Sequence, residues 1–291
     1  MCDDVTQQDA EDFLRAKGLT RREFSQQGAA VTLAALLPAV ADAADVVEQD
    51  VMVQTPDGMA DCYFVHPATG QHAGVIVWPD VMGIRPAFRG MGKRLAESGY
   101  SVLVVNPYYR TAKGQVLPAG KTFGDPGVRD LLMPHARSLS PTTCVTDGRA
   151  FVNYLDGQNS VDTDRKIGTT GYCMTGSYTM RLAAAIPDRI GAGGSFHGGG
   201  LATDKEDSPH LLVPQMKAGM LIAIAENDDE RDPQAKVLLR QAFDAAGVDA
   251  EIEVYEGALH GWCVPGSPVY NEPQAERAWS RLLTLFEREL A

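Results

Sequence analysis

Two short runs constrain this chain more than anything else in it. Val75-Ile76-Val77-Trp78 and Val102-Leu103-Val104-Val105 are apolar at every position. A strand with one wet face alternates apolar and polar residues, so a strand without alternation is covered on both faces. Further β-prone runs lie at residues 51–53, 62–65, 166–171, 192–196, 220–225 and 251–255. Between them stand helix-like segments at residues 88–98, 143–155, 175–185, 233–246 and 273–289, two of them stopped by Gly99 and Gly247. Strands that alternate with helices predict an α/β fold, with a mainly parallel sheet carrying helices on both faces. The chain has no internal repeat and no linker that would split it after about residue 46, so residues 46–291 are expected to form one domain. Residues 106–140, rich in proline and glycine, read as irregular. Loops this long in a compact domain are usually functional.

Charge and cysteine usage exclude several classes of function. Among 291 residues, 38 Asp and Glu face 26 Lys and Arg, a formal charge of −12. Such a chain repels phosphate backbones, so no nucleic-acid partner is expected. No apolar run approaches the ~20 residues of a membrane span, so no membrane anchor is expected. The five cysteines, Cys2, Cys62, Cys144, Cys173 and Cys263, form no Cys-x-x-Cys pair and no zinc-spaced cluster. Each reads most simply as a small buried hydrophobe. Cys173 is the exception, because of its neighbours.

Residues 1–45 differ from the rest. Arg21 and Arg22 precede Phe24, a mildly apolar alanine-rich stretch runs from Gly28 to Val40, and Ala41-Asp42-Ala43 offers small residues to a signal peptidase. This arrangement resembles a twin-arginine export signal, an address rather than an anchor, and implies a periplasmic protein. The alternative is an amphipathic N-terminal helix retained on a cytoplasmic protein, which the acidic leader Asp3, Asp4, Asp9, Glu11 and Asp12 supports.

Gly171-Tyr172-Cys173-Met174-Thr175-Gly176 falls where a strand gives way to a helix. A nucleophile placed there stands clear of the sheet on a tight turn, at a helix N-terminus that favours a thiolate. The usual spacing is Gly-x-nucleophile-x-Gly. Here Thr175 occupies the second glycine position and Gly176 follows. Two partners come later, in the chain order such hydrolases use. Glu226-Asn227-Asp228-Asp229 emerges from the strand at 220–225, and His260 lies between Leu259 and Gly261 on the loop after the last strand. Catalytic groups of open α/β sheets gather at the carboxyl ends of strands. Cys173, Asp228 and His260 are therefore the candidate nucleophile, acid and base. The rival from another class is a non-catalytic thiol protein, which would have no use for an Asp-His pair.

Gly-Tyr-Cys-Met, Ala-Glu-Asn-Asp and Tyr-Glu-Gly-Ala-Leu-His-Gly-Trp together resemble the dienelactone hydrolases, or carboxymethylenebutenolidases, over about residues 49–290. The resemblance implies an eight-stranded α/β-hydrolase domain. It also implies hydrolysis of an ester or lactone through a thioester, without metal or organic cofactor. Trp78-Pro79-Asp80-Val81-Met82-Gly83 matches a loop that supplies an oxyanion-hole amide, here that of Val81, and the second amide would be that of Met174. Asp80 stands where the family has a glutamate that interacts with the resting thiol. Arg110, in Tyr108-Tyr109-Arg110, matches an arginine that binds a substrate carboxylate, whereas Val264 stands where a second such arginine would fall. His197, in a His-Gly-Gly-Gly run, and Trp262 are expected to line the substrate site. A broad carboxylesterase or thioesterase is the alternative within the same chemistry.

Overall fold

The computed structural model describes residues 4–17 and 37–291. Helix α1 (Asp4–Ala16) precedes the sheet. The rest runs β1 (Val46–Thr55), β2 (Gly58–Pro67), β3 (Gly74–Trp78), α2 (Pro86–Glu97), β4 (Ser101–Val104), α3 (Val128–Arg137), α4 (Pro141–Asp156) and β5 (Ile167–Tyr172). It continues with α5 (Gly176–Ala185), β6 (Ile190–Phe196), β7 (Gly219–Ala225), α6 (Glu226–Arg231), α7 (Pro233–Ala246), β8 (Ala250–Tyr255) and α8 (Glu272–Glu289). The eight strands form one sheet in the order β1-β2-β4-β3-β5-β6-β7-β8. β2 is antiparallel to both β1 and β4, and every other neighbouring pair is parallel. This is the mainly parallel α/β-hydrolase sheet that the sequence predicts.

Side-chain alternation divides the core into two layers. Ile76, Trp78, Leu103 and Ile222 point to the face covered by α4, α5 and α7, through Phe151, Leu182 and Phe243. Val75, Val77, Val102, Val104 and Leu221 point to the other, covered by α2 and α8 through Phe88, Leu95, Leu282 and Phe286. β3 and β4 are buried along their whole length, as their unbroken apolar runs require. The helices begin where local chemistry satisfies their free amides. The Ser140 hydroxyl accepts from the Thr143 amide at 3.1 Å and the Thr143 hydroxyl accepts from the Ser140 amide at 2.8 Å, a capping box at the start of α4. Gly247 ends α7 in the left-handed conformation.

Two departures from the sequence reading have physical causes. β1 and β2 are each ten residues long because they pair as a hairpin from Val46↔Pro67 to Thr55↔Gly58, and Glu48, Gln49, Asp50 and Gln54 of β1 face solvent. Residues 106–140 are not wholly irregular. Pro134 hides α3, whose Val128 and Leu132 are buried with Leu117 in a small cluster of their own. β1 begins directly after the leader boundary placed at residue 45. Arg21, Arg22 and residues 28–36 lie outside the described residues. No helix among the described residues is long and apolar enough to cross a membrane.

Candidate active site

The strand order sets the place of the site. The chain leaves β3 toward β4 on one side and resumes at β5 on the other, so the carboxyl ends of β3 and β5 flank a topological switch point. Trp78 pairs with Gly171 in register, and the segments holding Val81 and Met174 leave the two strands side by side.

Cys173 follows β5 directly, with φ +58, a left-handed conformation unusual for a residue with a Cβ. The turn is enforced by contacts on both flanks. A Cβ on Gly171 would stand 2.2 Å from the Thr175 carbonyl oxygen, and one on Gly176 would stand 2.6 Å from the Gly198 Cα. Thr175 explains the departure from the usual spacing. Its buried hydroxyl accepts the Tyr172 amide at 2.9 Å and lies 2.9 Å and 3.0 Å from the Trp78 and Pro79 carbonyl oxygens. A glycine there could not tie the turn to the end of β3.

His260 and Asp228 meet as expected. His260 Nδ1 lies 2.7 Å from Asp228 Oδ2, and its ring is almost wholly buried. Burial disfavours charge on the imidazole, yet the Cys173 sulfur and the Asp228 carboxylate outweigh it and push the His260 pKa up to about 9. Burial likewise raises the Asp228 pKa, but the hydrogen bond from His260 wins and leaves it below the usual carboxylate value. The adjacent Asp229 turns away and meets Lys236 Nζ at 2.5 Å. Cys173, 1% exposed, interacts with both His260 and His197. The three candidate residues are thus brought together from the turn after β5, α6 and the loop after β8.

The residues expected to bind substrate fare differently. Asp80 is held by Arg85 in a buried bidentate pair, at 2.6 Å and 2.8 Å, and also accepts the Met82 amide at 2.9 Å. Its carboxylate thereby shapes the loop carrying Val81. Arg110 donates to Asp147 twice at 2.7 Å and to Asp57 at 3.0 Å and 2.6 Å. It joins the β1–β2 turn to α4, with four of its five N–H donors engaged by carboxylates. Trp262 is fully buried, with its ring stacked on Tyr255 at 5.3 Å and set edgewise to His197 at 5.4 Å, so it supports the site from behind. His197 is at the site itself, with its ring centroid 4.7 Å from that of His260.

Three supporting residues escaped the sequence reading. Asn227 Oδ1 accepts the His260 amide at 2.9 Å and so fixes the loop that carries the base. Asn227 Nδ2 donates to Asp9 Oδ2 of α1 at 2.7 Å, and Asp9 also pairs with Arg231. Tyr108 donates to the Val81 carbonyl at 2.8 Å, with its oxygen 4.0 Å from Met174 Sδ, and so contacts both residues expected to supply oxyanion amides. Tyr108 and Asn227 had a signal, their places in the Tyr-Tyr-Arg and Ala-Glu-Asn-Asp segments.

Fold and site together define an α/β-hydrolase. The chain belongs to the dienelactone hydrolase family, whose model matches residues 60–290, and it is a hydrolase of that type. A carboxymethylenebutenolidase of Rhodococcus opacus is 26% identical over 226 residues, spanning 76% of this chain and 83% of its own length. Solved structures show the same fold. A Klebsiella pneumoniae protein provisionally named a dienelactone hydrolase superposes with a TM-score of 0.72 at 22% identity, over 84% of this chain and 99% of its own. The dienelactone hydrolase of Anabaena variabilis gives 0.59 at 15% identity, over 84% and 99%.

Proposed function

We propose that this protein hydrolyses an uncharged carboxylic ester or lactone through a thioester on Cys173. The observation that carries the proposal is the 2.7 Å Asp228–His260 contact beside a cysteine held at φ +58 on the turn after β5. In this reading His260 Nε2 holds the proton of the Cys173 thiol, and Asp228 fixes the ring through Nδ1. The thiolate attacks the carbonyl carbon and the carbonyl electron pair moves to oxygen, where the Val81 and Met174 amides receive the charge. As the tetrahedral species collapses, the C–O bond breaks and the leaving oxygen takes the proton from His260. Water then attacks the thioester while His260 accepts one of its protons. The C–S bond breaks, the acid leaves, and the thiolate–imidazolium pair is restored.

The substrate class follows from the charges around the site. Asp80 and Arg85 neutralise one another, Arg110 is held by two carboxylates, and Val264 is buried and apolar. These supports favour a neutral ester or lactone over the carboxylate-bearing dienelactone. Hydrolysis of p-nitrophenyl acetate by the wild type should fall about 10³-fold or more in Cys173→Ala with the melting temperature retained, and acetyl-enzyme should accumulate on Cys173 alone. Esterase activity that survives in Cys173→Ala would refute the proposal.

A further inference from the structure

The loop after β6 holds His197 in a state that its own hydrogen bonding does not explain. Its backbone stands at φ +40, a left-handed value that a residue with a Cβ adopts at a cost. Its side chain is 2% exposed, and neither ring nitrogen makes a hydrogen bond of ordinary geometry. Burying an imidazole without a partner is unfavourable. The loop nevertheless holds it firmly, since the His197 amide donates to the Ala223 carbonyl at 2.8 Å and the Gly199 amide donates to the Cys173 carbonyl at 3.1 Å. The ring is wedged edgewise between His260 at 4.7 Å and Trp262 at 5.4 Å, against the Cys173 sulfur.

We propose that His197 is a second imidazole on the nucleophile, a neutral N–H donor that stabilises the Cys173 thiolate each time the sulfur carries charge. The inference rests on the reading of Cys173 as nucleophile. Two imidazolium rings 4.7 Å apart would repel, so the charge goes to one of them. His260 has the Asp228 carboxylate, whereas burial and the neighbouring His260 charge keep the His197 pKa below its ordinary value against the opposing pull of Cys173. Both histidines interact with the sulfur, and Asp228 stands behind His260. Asp80 is neutralised by Arg85, and burial holds Tyr172 and Cys263 in their protonated forms. In the resting enzyme the sulfur is charged and His197 has an acceptor. In the thioester the sulfur is neutral and the His197 N–H has none. When water adds and the C–S bond breaks, the electron pair returns to sulfur, and the same N–H receives it. His197 therefore makes the sulfur both a readier nucleophile and a better leaving group.

Thiolate absorbance at 240 nm, taken as wild type minus Cys173→Ala across pH, isolates this one sulfur. Burial pushes Cys62 up to about 12 and keeps Cys144 and Cys263 protonated through neutral pH. His197→Phe keeps an aromatic ring at the position but removes the donor, and should raise the midpoint by about one unit, a tenfold loss of thiolate below the midpoint. His197→Gln retains an N–H and should recover part of that shift. Deacylation of the acetyl-enzyme should slow about tenfold in His197→Phe. Should His197→Phe fail to fold, ¹⁵N spectra of the wild type answer the same question: the His197 ring nitrogen must shift when Cys173 is alkylated. An unchanged midpoint in His197→Phe, or an unmoved ring nitrogen, would overturn the proposal. If Cys173→Ala stays active, the functional reading falls with it. If Cys173 is required and only the midpoint fails to move, the role of His197 falls alone.

Discussion

Replacing Arg110 separates a structural arginine from a substrate-binding one. Its guanidinium makes four hydrogen bonds, two to Asp147 and two to Asp57. Asp57 is half exposed, and its share is worth about 0–1 kcal/mol. Asp147 is different: its side chain is 3% exposed, so Arg110→Met leaves a buried carboxylate without its counter-charge. Breaking a buried pair in this way costs about 3–5 kcal/mol. The Tyr109 hydroxyl still donates to Asp147 at 2.8 Å, which holds the expected loss near the lower end, about 3 kcal/mol. For a domain of this size that is a fall in Tm of about 6–12 °C. Removing the stranded charge should restore most of the loss, so Arg110→Met with Asp147→Leu should melt closer to the wild type than Arg110→Met alone. The kinetic counterpart is a KM that moves by the same factor, below about threefold, for a neutral ester and for its carboxylate-bearing analogue. Thermal melts of the three proteins and steady-state kinetics on the two esters test the argument. A KM that rises about tenfold for the acidic ester alone, with Tm unchanged, would show that Arg110 meets substrate and would refute it.

Asp228→Asn should cost about 10³-fold or more in kcat for p-nitrophenyl acetate, because an amide disfavours the histidine tautomer that the base requires, while Asp229→Asn, which disturbs only the contact with Lys236, should cost less than about threefold. Comparable losses would remove the distinction between the two acids. His260 should titrate at about 9 by NMR in the wild type, and Cys173→Ala, which removes the negative sulfur that favours the imidazolium, should lower that midpoint by at least about one unit. A midpoint that stays or rises would mean that the two side chains do not share a proton. We propose export by the twin-arginine route: Arg21→Lys with Arg22→Lys should leave the full-length chain in the cytoplasm of its native host, and wild-type protein from that host still beginning at Met1 or Cys2 would exclude a cleaved leader.

The sheet was legible because burial on both faces writes itself directly into composition. β3 and β4 show an unbroken apolar run for that reason. The site was legible where chain order carries meaning, since a cysteine after one strand, an acid after another and a histidine after the last can converge only at the carboxyl edge of a parallel sheet. What stayed hidden was pairing between charged groups. Nothing local marks Asp80 as bound to Arg85 five residues on, because that contact exists only when the loop after β3 folds back on itself. Arg110 and Asp147 lie 37 residues apart and meet only once α4 packs against the strands. A guanidinium beside a sheet edge looks free in sequence until its counter-ions are located.

The same limit bears on how a family signature should be judged in a divergent chain. By spacing alone, Thr175 weakens the match to Gly-x-nucleophile-x-Gly. In the folded protein it answers the same requirement by another route. The second glycine of such a turn leaves room for neighbouring backbone, and here that room is provided one residue later, where Gly176 lies against Gly198. The displaced position is then free to carry a hydroxyl, and its bonds to the Tyr172 amide and the Trp78 carbonyl at the end of β3 fasten the elbow to the strand that leads into the Val81 loop. The Cys173 segment and the Val81 segment, which must keep a fixed separation for any oxyanion hole to form between them, are joined by one buried side chain. Geometry of the turn, and not the literal spacing of its glycines, is therefore the property that identifies such a site.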